Sequence, residues 1–356
     1  MIVNSVKPLV YYFKSKSFNI FDPVFKMHTK LTVYFLLICS FVISGHSWTG
    51  KPLDCLSNDK DRKAFAELIC WANGTFTVHS HKIVGGRPVE ERHYYHYYQW
   101  VVIILLVEAG LFSIPERLWK VWEHGRIQQL CTGLNSDVLV PDGDDYEKNK
   151  KRVVSYWKLK NSRIHGSYVF RYVCCEVMNF LCVVLNMFIL NVVFDRFWSR
   201  YLPAVLSLFT TEGPTFSTLA AVIFPITAKC NYSDFGASGS EQLHDHLCLL
   251  TLNVVNEKVF AFLYIWYLLL LFVSGLNLIW RSLILLSPSL RLKIIQSSTK
   301  WTEQVSEKEV KKILAVDNIG DWFIMFLLGQ NLNRFAFREI LDELAERKEL
   351  LNNDTV

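Results

Sequence analysis

Residues 259–280 read "VFAFLYIWYLLLLFVSGLNLIW", a run without one charged side chain. A hydrocarbon layer about 30 Å thick needs about 20 helical residues to cross it. In lipid the backbone must satisfy its own polar groups, in helices or closed barrels, and an unbroken apolar run of this length reads as a helix. Three further apolar runs accompany it. The first, "LTVYFLLICSFVIS" at 31–44, continues to Trp48 and is only just long enough to span. The second lies within "YYHYYQWVVIILLVEAGLFSIPERLWKVWE" at 94–123, and the third is "YVFRYVCCEVMNFLCVVLNMFILNVVF" at 168–194. A mean hydropathy of +0.20 is high for a soluble domain. The leader before the first run is long and charged and no small-x-small site follows, so that run reads as a retained span and not a cleaved signal.

Four spans place both chain ends on one side. Lysine and arginine number 26 in segments 1–30, 115–167 and 281–356, but 11 in segments 48–93 and 195–258. The bias of basic residues toward the cytoplasm puts both termini and the middle loop inside. The expected layout is a cytoplasmic N-terminal segment 1–30, spans at 31–48, 94–115, 168–194 and 259–281, outer loops 49–93 and 195–258, a cytoplasmic loop 116–167 and a cytoplasmic helical domain 282–356. A net charge of +5 does not point to nucleic acid. Membrane lipid is the expected surrounding.

The nine cysteines agree with this layout. Cys39, Cys174, Cys175 and Cys182 fall in spans and Cys131 in the inner loop. Each outer loop carries one pair, Cys55 and Cys70 in the first, Cys230 and Cys248 in the second. An oxidising compartment favours two disulfides there, and four cysteines allow three pairings. Glycosylation sequons at Asn73 ("NGT") and Asn231 ("NYS") are also outside, whereas the one at Asn353 is in the inner tail and should be inert. The tyrosines and Trp100 at the head of the second span fit a headgroup-level collar, or else pack on the neighbouring outer loop. Trp119, Trp122, Lys120 and Arg126 fit the same collar at its inner end.

The soluble parts carry little chemistry. "DGDD" at 142–145 lacks the alternation and terminal glutamate of a calcium loop and reads as a solvated turn. "WFIMFLLG" is too short to span and should pack inside an inner domain. "FREILDELAERKELL" has Phe337, Ile340, Leu341 and Leu344 at helical spacing, an amphipathic helix. Histidines in "HSH" (79–81), "HYYH" (93–96) and "HDH" (244–246) do not combine with cysteine at zinc spacing once the outer thiols are oxidised. No metal, cofactor or enzyme constellation is expected.

Taken together, the residues resemble the innexins, the gap-junction proteins of invertebrates. "YYQWV" at Tyr97, Tyr98, Gln99, Trp100 and Val101 is the family's best-known signature. "DPVFKMHTKLTV", "IPERLWKVWEHGR", "FRYVCCEVMNF", "FPITAKC", "LTLNVVNEKVFAFLYIWY" and "IGDWF" follow the family in order along nearly the whole chain. Two cysteines per outer loop fit innexins and pannexins; connexins carry three.

The resemblance implies an all-α membrane protein, a four-transmembrane-helix bundle with a disulfide-linked extracellular cap and a helical cytoplasmic dome. It implies a ring around a pore, an octamer in the known case, made of this chain or mixed with other innexins. Such a ring can dock with an opposing ring on the adjacent cell to pass ions and small metabolites. It further implies the pairings Cys55–Cys248 and Cys70–Cys230, and an N-terminal segment folded into the pore mouth. The short first outer loop, the two outer sequons and Glu108 depart from the family pattern. A short divergent chain of this kind also fits a virus-carried, insect-type innexin.

Glu108 lies eight residues past Trp100, about 12 Å along a helix, and so well inside the hydrocarbon. It can stay uncharged, pair between helices, or face a pore; the interhelical role is the expected one, with Arg171 and Glu176 as candidate neighbours. Arg171 is close enough to the inner end to snorkel. Pro115 lacks a backbone donor, and either ends the second span or hinges it.

Overall fold

A computed structural model describes residues 18–57, 60–84, 87–134, 143–158, 162–210, 213–299 and 318–353. The N-terminal segment expected at a pore mouth lies, up to residue 17, outside the described residues. The chain forms two compact units.

One unit comprises 27–114 and 179–273. Among the described residues three helices are long and apolar enough to cross a membrane, over Pro23–His46, Ile164–Val193 and Thr251–Leu286. The first is built of α1 (Pro23–Lys26), a π-helical turn (Met27–Leu31) and α2 (Thr32–Thr49). The helix of the second run, Val101–Glu123, is α4; Glu108, Glu116 and Arg117 keep it out of that composition class. The remaining long helices are α7 (Ser162–Val193) and α10 (Thr251–Leu286). Within this unit Leu36, Ile43, Leu105, Phe112, Val183, Leu190, Phe260 and Tyr267 form a buried core.

The outer loops are not all helix, which corrects the all-α expectation. β1 (Asp54–Cys55), β2 (Thr75–Val84), β3 (Arg87–Tyr95), β4 (Thr227–Phe235) and β5 (Glu241–Leu249) form one antiparallel sheet in the order β1-β5-β4-β2-β3. The sheet joins both outer segments, through Phe76 opposite Lys229 and Cys55 opposite Cys248. β4 shows the period of two, with Ala228, Cys230 and Tyr232 buried and Lys229 exposed. The buried side carries α3 (Lys60–Asn73), whose Ala66 and Cys70 close a small core with Tyr95, Tyr98 and Leu250. Beyond Asp195 and Arg196, both at positive φ, follow α8 (Phe197–Ser207) and α9 (Phe216–Ala220).

The second helix also departs from its expected limits. Tyr94 and Tyr95 finish β3, Tyr97–Gln99 is a 3-10 turn, and α4 starts only at Val101. At its far end α4 runs through Pro115 to Glu123, so the proline does not terminate it. Termination comes from His124 and Gly125, both at positive φ. The Glu123 carboxylate accepts the N–H groups of Gly125 and Ile127 at 2.6 and 2.7 Å, capping α5 (Arg126–Cys131).

The other unit comprises residues up to 26, 115–178 and 274–356. It adds α6 (Gly143–Lys158), α11 (Pro288–Thr299), α12 (Ile319–Asn331) and α13 (Arg334–Asn353). Asp144 and Asp145 open α6 instead of forming the expected turn; acidic side chains suit a helix N-terminus. α12 buries Trp322, Phe323, Ile324, Met325, Leu327 and Leu328, the fate expected for "WFIMFLLG". Gly320 lets it approach the backbone of α7: a Cβ there would stand 2.3 Å from the His165 carbonyl carbon. Phe337, Ile340 and Leu341 of α13 join the same core.

Candidate functional site

The cap is built around two disulfides, Cys55–Cys248 and Cys70–Cys230, with Cα separations of 3.9 and 5.7 Å. One joins β1 to β5 and the other pins α3 to β4. The sulfurs of Cys55, Cys70 and Cys248 lie within 4.8 Å of one another, so the bridges pack side by side. They span 193 and 160 residues of sequence. Long closed loops are where a crosslink removes most freedom from the unfolded chain.

The "YYQWV" stretch holds the end of α3. A helix leaves its last carbonyls without intrahelical partners. Tyr98 donates its hydroxyl to the Cys70 carbonyl at 3.2 Å, and the Gln99 amide donates to Trp71 and Ala72 at 2.5 and 3.3 Å. Tyr97 packs edge-on to Phe194 and Phe224 at 5.2 and 5.6 Å. Val101 is fully buried. Tyr95, Tyr97 and Tyr98 therefore pack in or beside the cap, whereas Tyr94 and Trp100 are 55% and 57% exposed and keep the collar role open. At the other end Trp119 is fully buried, edge-on to Tyr168 and Tyr172 at 4.9 Å, so it is a core residue and not an interfacial one.

Glu108 is buried between helices. Its carboxylate accepts the Tyr267 hydroxyl at 2.7 Å, from α4 to α10. The candidate neighbours named from the sequence are not its partners. Arg171 is exposed, with its guanidinium 5.9 Å from the Trp122 ring. Glu176 receives a two-pronged bond from Arg281 at 2.8 and 2.9 Å and a third from Asn277 at 3.2 Å. Arg281 also bonds Asp22 and lies over Tyr172. The Asp22 N–H donates to the Tyr172 hydroxyl at 3.1 Å. The later part of the N-terminal segment, at Asp22, is thus tied down by a largely buried ion cluster. Tyr267, Arg281 and Asp22 are absent from the sequence-based set. Arg281 was visible as the first charge after the uncharged run, but its partners are 105 and 259 residues away.

Pro115 leaves the Leu111 carbonyl without its helical donor. That carbonyl accepts the Cys182 thiol from α7 at 3.6 Å. Asn73 is exposed at the end of α3, before Gly74 at φ +91°. Asn231 is half-buried in β4, its amide nitrogen placed to donate to Asp245 and to the Cys230 carbonyl at 2.8 and 3.1 Å. His246 stacks on Tyr232 and His244 packs tilted against it, and the side chains of His79 and His81 lie outside the described residues. Cys131 is buried, which pushes its thiol up to about 12, aided by Glu123.

A cap crosslinked from both outer segments, with apolar helices leading from it, has counterparts among known proteins. The sequence model of the innexin family matches residues 21–348. Innexin inx4 of Anopheles gambiae is 37% identical, covering 96% of this chain and 91% of its own length. Innexin inx4 of Drosophila melanogaster is 34% identical over 98% and 97% of the two chains. Innexin inx2 of Drosophila melanogaster is 33% identical over 97% and 95%. The match runs from the residues just before the first apolar helix to the last amphipathic one and takes in all four cap cysteines, and on that ground the chain belongs to the innexin family.

Proposed function

We propose that this protein is a large-pore channel subunit of the plasma membrane, forming intercellular gap junctions that pass ions and small metabolites. In this reading α4 is a fourth span beside the three apolar helices, and both termini and 116–167 face the cytosol. Subunits form a ring, octameric by the family resemblance, of this chain alone or mixed with other innexins. The ring meets an opposing ring on the adjacent cell. The observation that carries the reading is the crosslinked sheet made from both outer segments. Two loops become one stiff surface, and a stiff surface loses little entropy on meeting another.

The exposed sequon at Asn73 favours a second reading, the same ring working undocked as a hemichannel, since a glycan on the rim would obstruct close approach. A third, from another class, is a four-span adhesion or scaffold protein without a pore. Dye transfer between paired expressing cells, set against dye uptake by single cells, separates the first two. Transfer with little uptake is expected. Uptake without transfer would replace docking by the hemichannel, and ionic current in neither arrangement would leave only the scaffold.

A further inference from the structure

A cleft of about 470 Å³ opens where β3 leads into α4 and α7 ends, within the size range of small-molecule sites. One wall is apolar and includes Ile104, Val193 and Ile223. It continues into exposed apolar side chains along the same helices, Ile103 and Val107 on α4 and Val192 on α7. The rim is polar and aromatic, with Arg200, Asp195, His96, Tyr94 and Trp100. In the proposed topology this is the depth at which the outer leaflet changes from chains to headgroups.

The rim carries charges of both signs. Arg200 bonds the Asp195 backbone and carboxylate and the Val222 carbonyl, at 3.2–3.3 Å. These three bonds, among the described residues, leave two of the five guanidinium donors for another acceptor. The Asp195 side chain is 73% exposed, and the exposed Trp100 lines the same cleft. A carboxylate and exposed aromatic faces suit a quaternary ammonium, and a guanidinium suits a phosphate. A free phosphate would use only the Arg200 side and leave the apolar wall bare.

We infer that the cleft binds a zwitterionic outer-leaflet glycerophospholipid, phosphate on Arg200, ammonium on Asp195 and Trp100, and acyl chain along Ile104 and Val193. This rests on the membrane topology proposed above. The full-length protein is reconstituted in phosphatidylcholine vesicles containing a phosphatidylcholine with an acyl-chain diazirine, and labelled residues are mapped by peptide mass spectrometry. Label concentrated at Ile104 and Val193 is expected, above that at Phe272, an exposed residue of α10 used as reference. Arg200→Gln should lower the cleft signal about tenfold, the loss of one charge-assisted bond. Because Arg200 also braces the Val222 carbonyl, Ile104→Trp provides a second variant that fills the cleft and leaves those bonds intact; it should abolish label at Val193. Asp195→Asn should weaken capture of phosphatidylcholine but not of a matching phosphatidylglycerol probe. Equal label at Phe272 and in the cleft, indifferent to these changes, would overturn the inference, as would competition by excess inorganic phosphate. A cleft covered by a neighbouring copy would stay unlabelled while Phe272 is labelled. No label even at Phe272 would instead sink the membrane topology itself.

Discussion

Glu108 holds one hydrogen bond in a place where an unpaired polar group is costly. Removing either partner leaves the other stranded, at about 1–3 kcal/mol. Glu108→Ala and Tyr267→Phe should each lower the thermal stability of the detergent-solubilised protein by that order, and Glu108→Gln by less, since it keeps an acceptor. The paired change Glu108→Leu with Tyr267→Phe should recover much of the loss, and strictly additive effects would show that the two residues are not coupled. Arg281 is a harsher case. Arg281→Met leaves the buried Glu176 and the half-buried Asp22 without their cation, a change worth about 3–5 kcal/mol. Size-exclusion profiles should show little folded protein; a wild-type profile would mean the cluster is not the anchor described. That a buried acid at 108 needs an interhelical partner was readable from the apolar run around it. Which partner was not, because Tyr267 looks like any aromatic in a greasy helix until α4 and α10 are placed side by side.

At the scale of elements, α4 shows how a neighbour can repair a break. Cys182→Ala should cost about 1 kcal/mol by orphaning the Leu111 carbonyl. In a Pro115→Ala background the restored N–H takes that carbonyl, and the cost should vanish; melting temperatures of the four proteins decide this, and an equal penalty in both backgrounds would exclude the repair. Helices in this chain were legible because long apolar runs and the 3.6-residue spacing of α13 are local signals. The sheet was not. β4 and β5 are mostly polar, and β1 is only Asp54 and Cys55. β4 and β5 form a local hairpin, but the pairings that join it to β1 and β2, Cys55 with Cys248 and Phe76 with Lys229, link residues far apart in sequence, so no window along the chain reveals the sheet. The start of α4 was misplaced for a related reason: Tyr94 and Tyr95 look like a membrane collar, but the strand pairing of β3 claims them first.

For the molecule as a whole, function should follow the cap. Replacing any one of Cys55, Cys70, Cys230 or Cys248 by serine removes a bridge worth about 2–5 kcal/mol and should abolish dye transfer between paired cells. Cys39→Ser and Cys131→Ser should preserve it; the Cys131 thiol is buried and stays protonated at neutral pH. Transfer retained by a cap mutant would mean that docking does not need the crosslinks. Asn73→Gln should raise transfer if a glycan obstructs the rim, and removing Asn231 as well tests the second sequon; unchanged transfer in both would clear the glycans of that role. The pairing of cap cysteines also dictates an order of manufacture. Cys55 and Cys70 emerge from the ribosome 160 residues or more before Cys230 and Cys248 exist. Until then, in the topology proposed above, the only cap partner each has in the lumen of the secretory pathway is the other. Maturation must therefore keep two thiols reduced, or undo a premature bond between them, so the yield of finished protein should depend on disulfide isomerase supply.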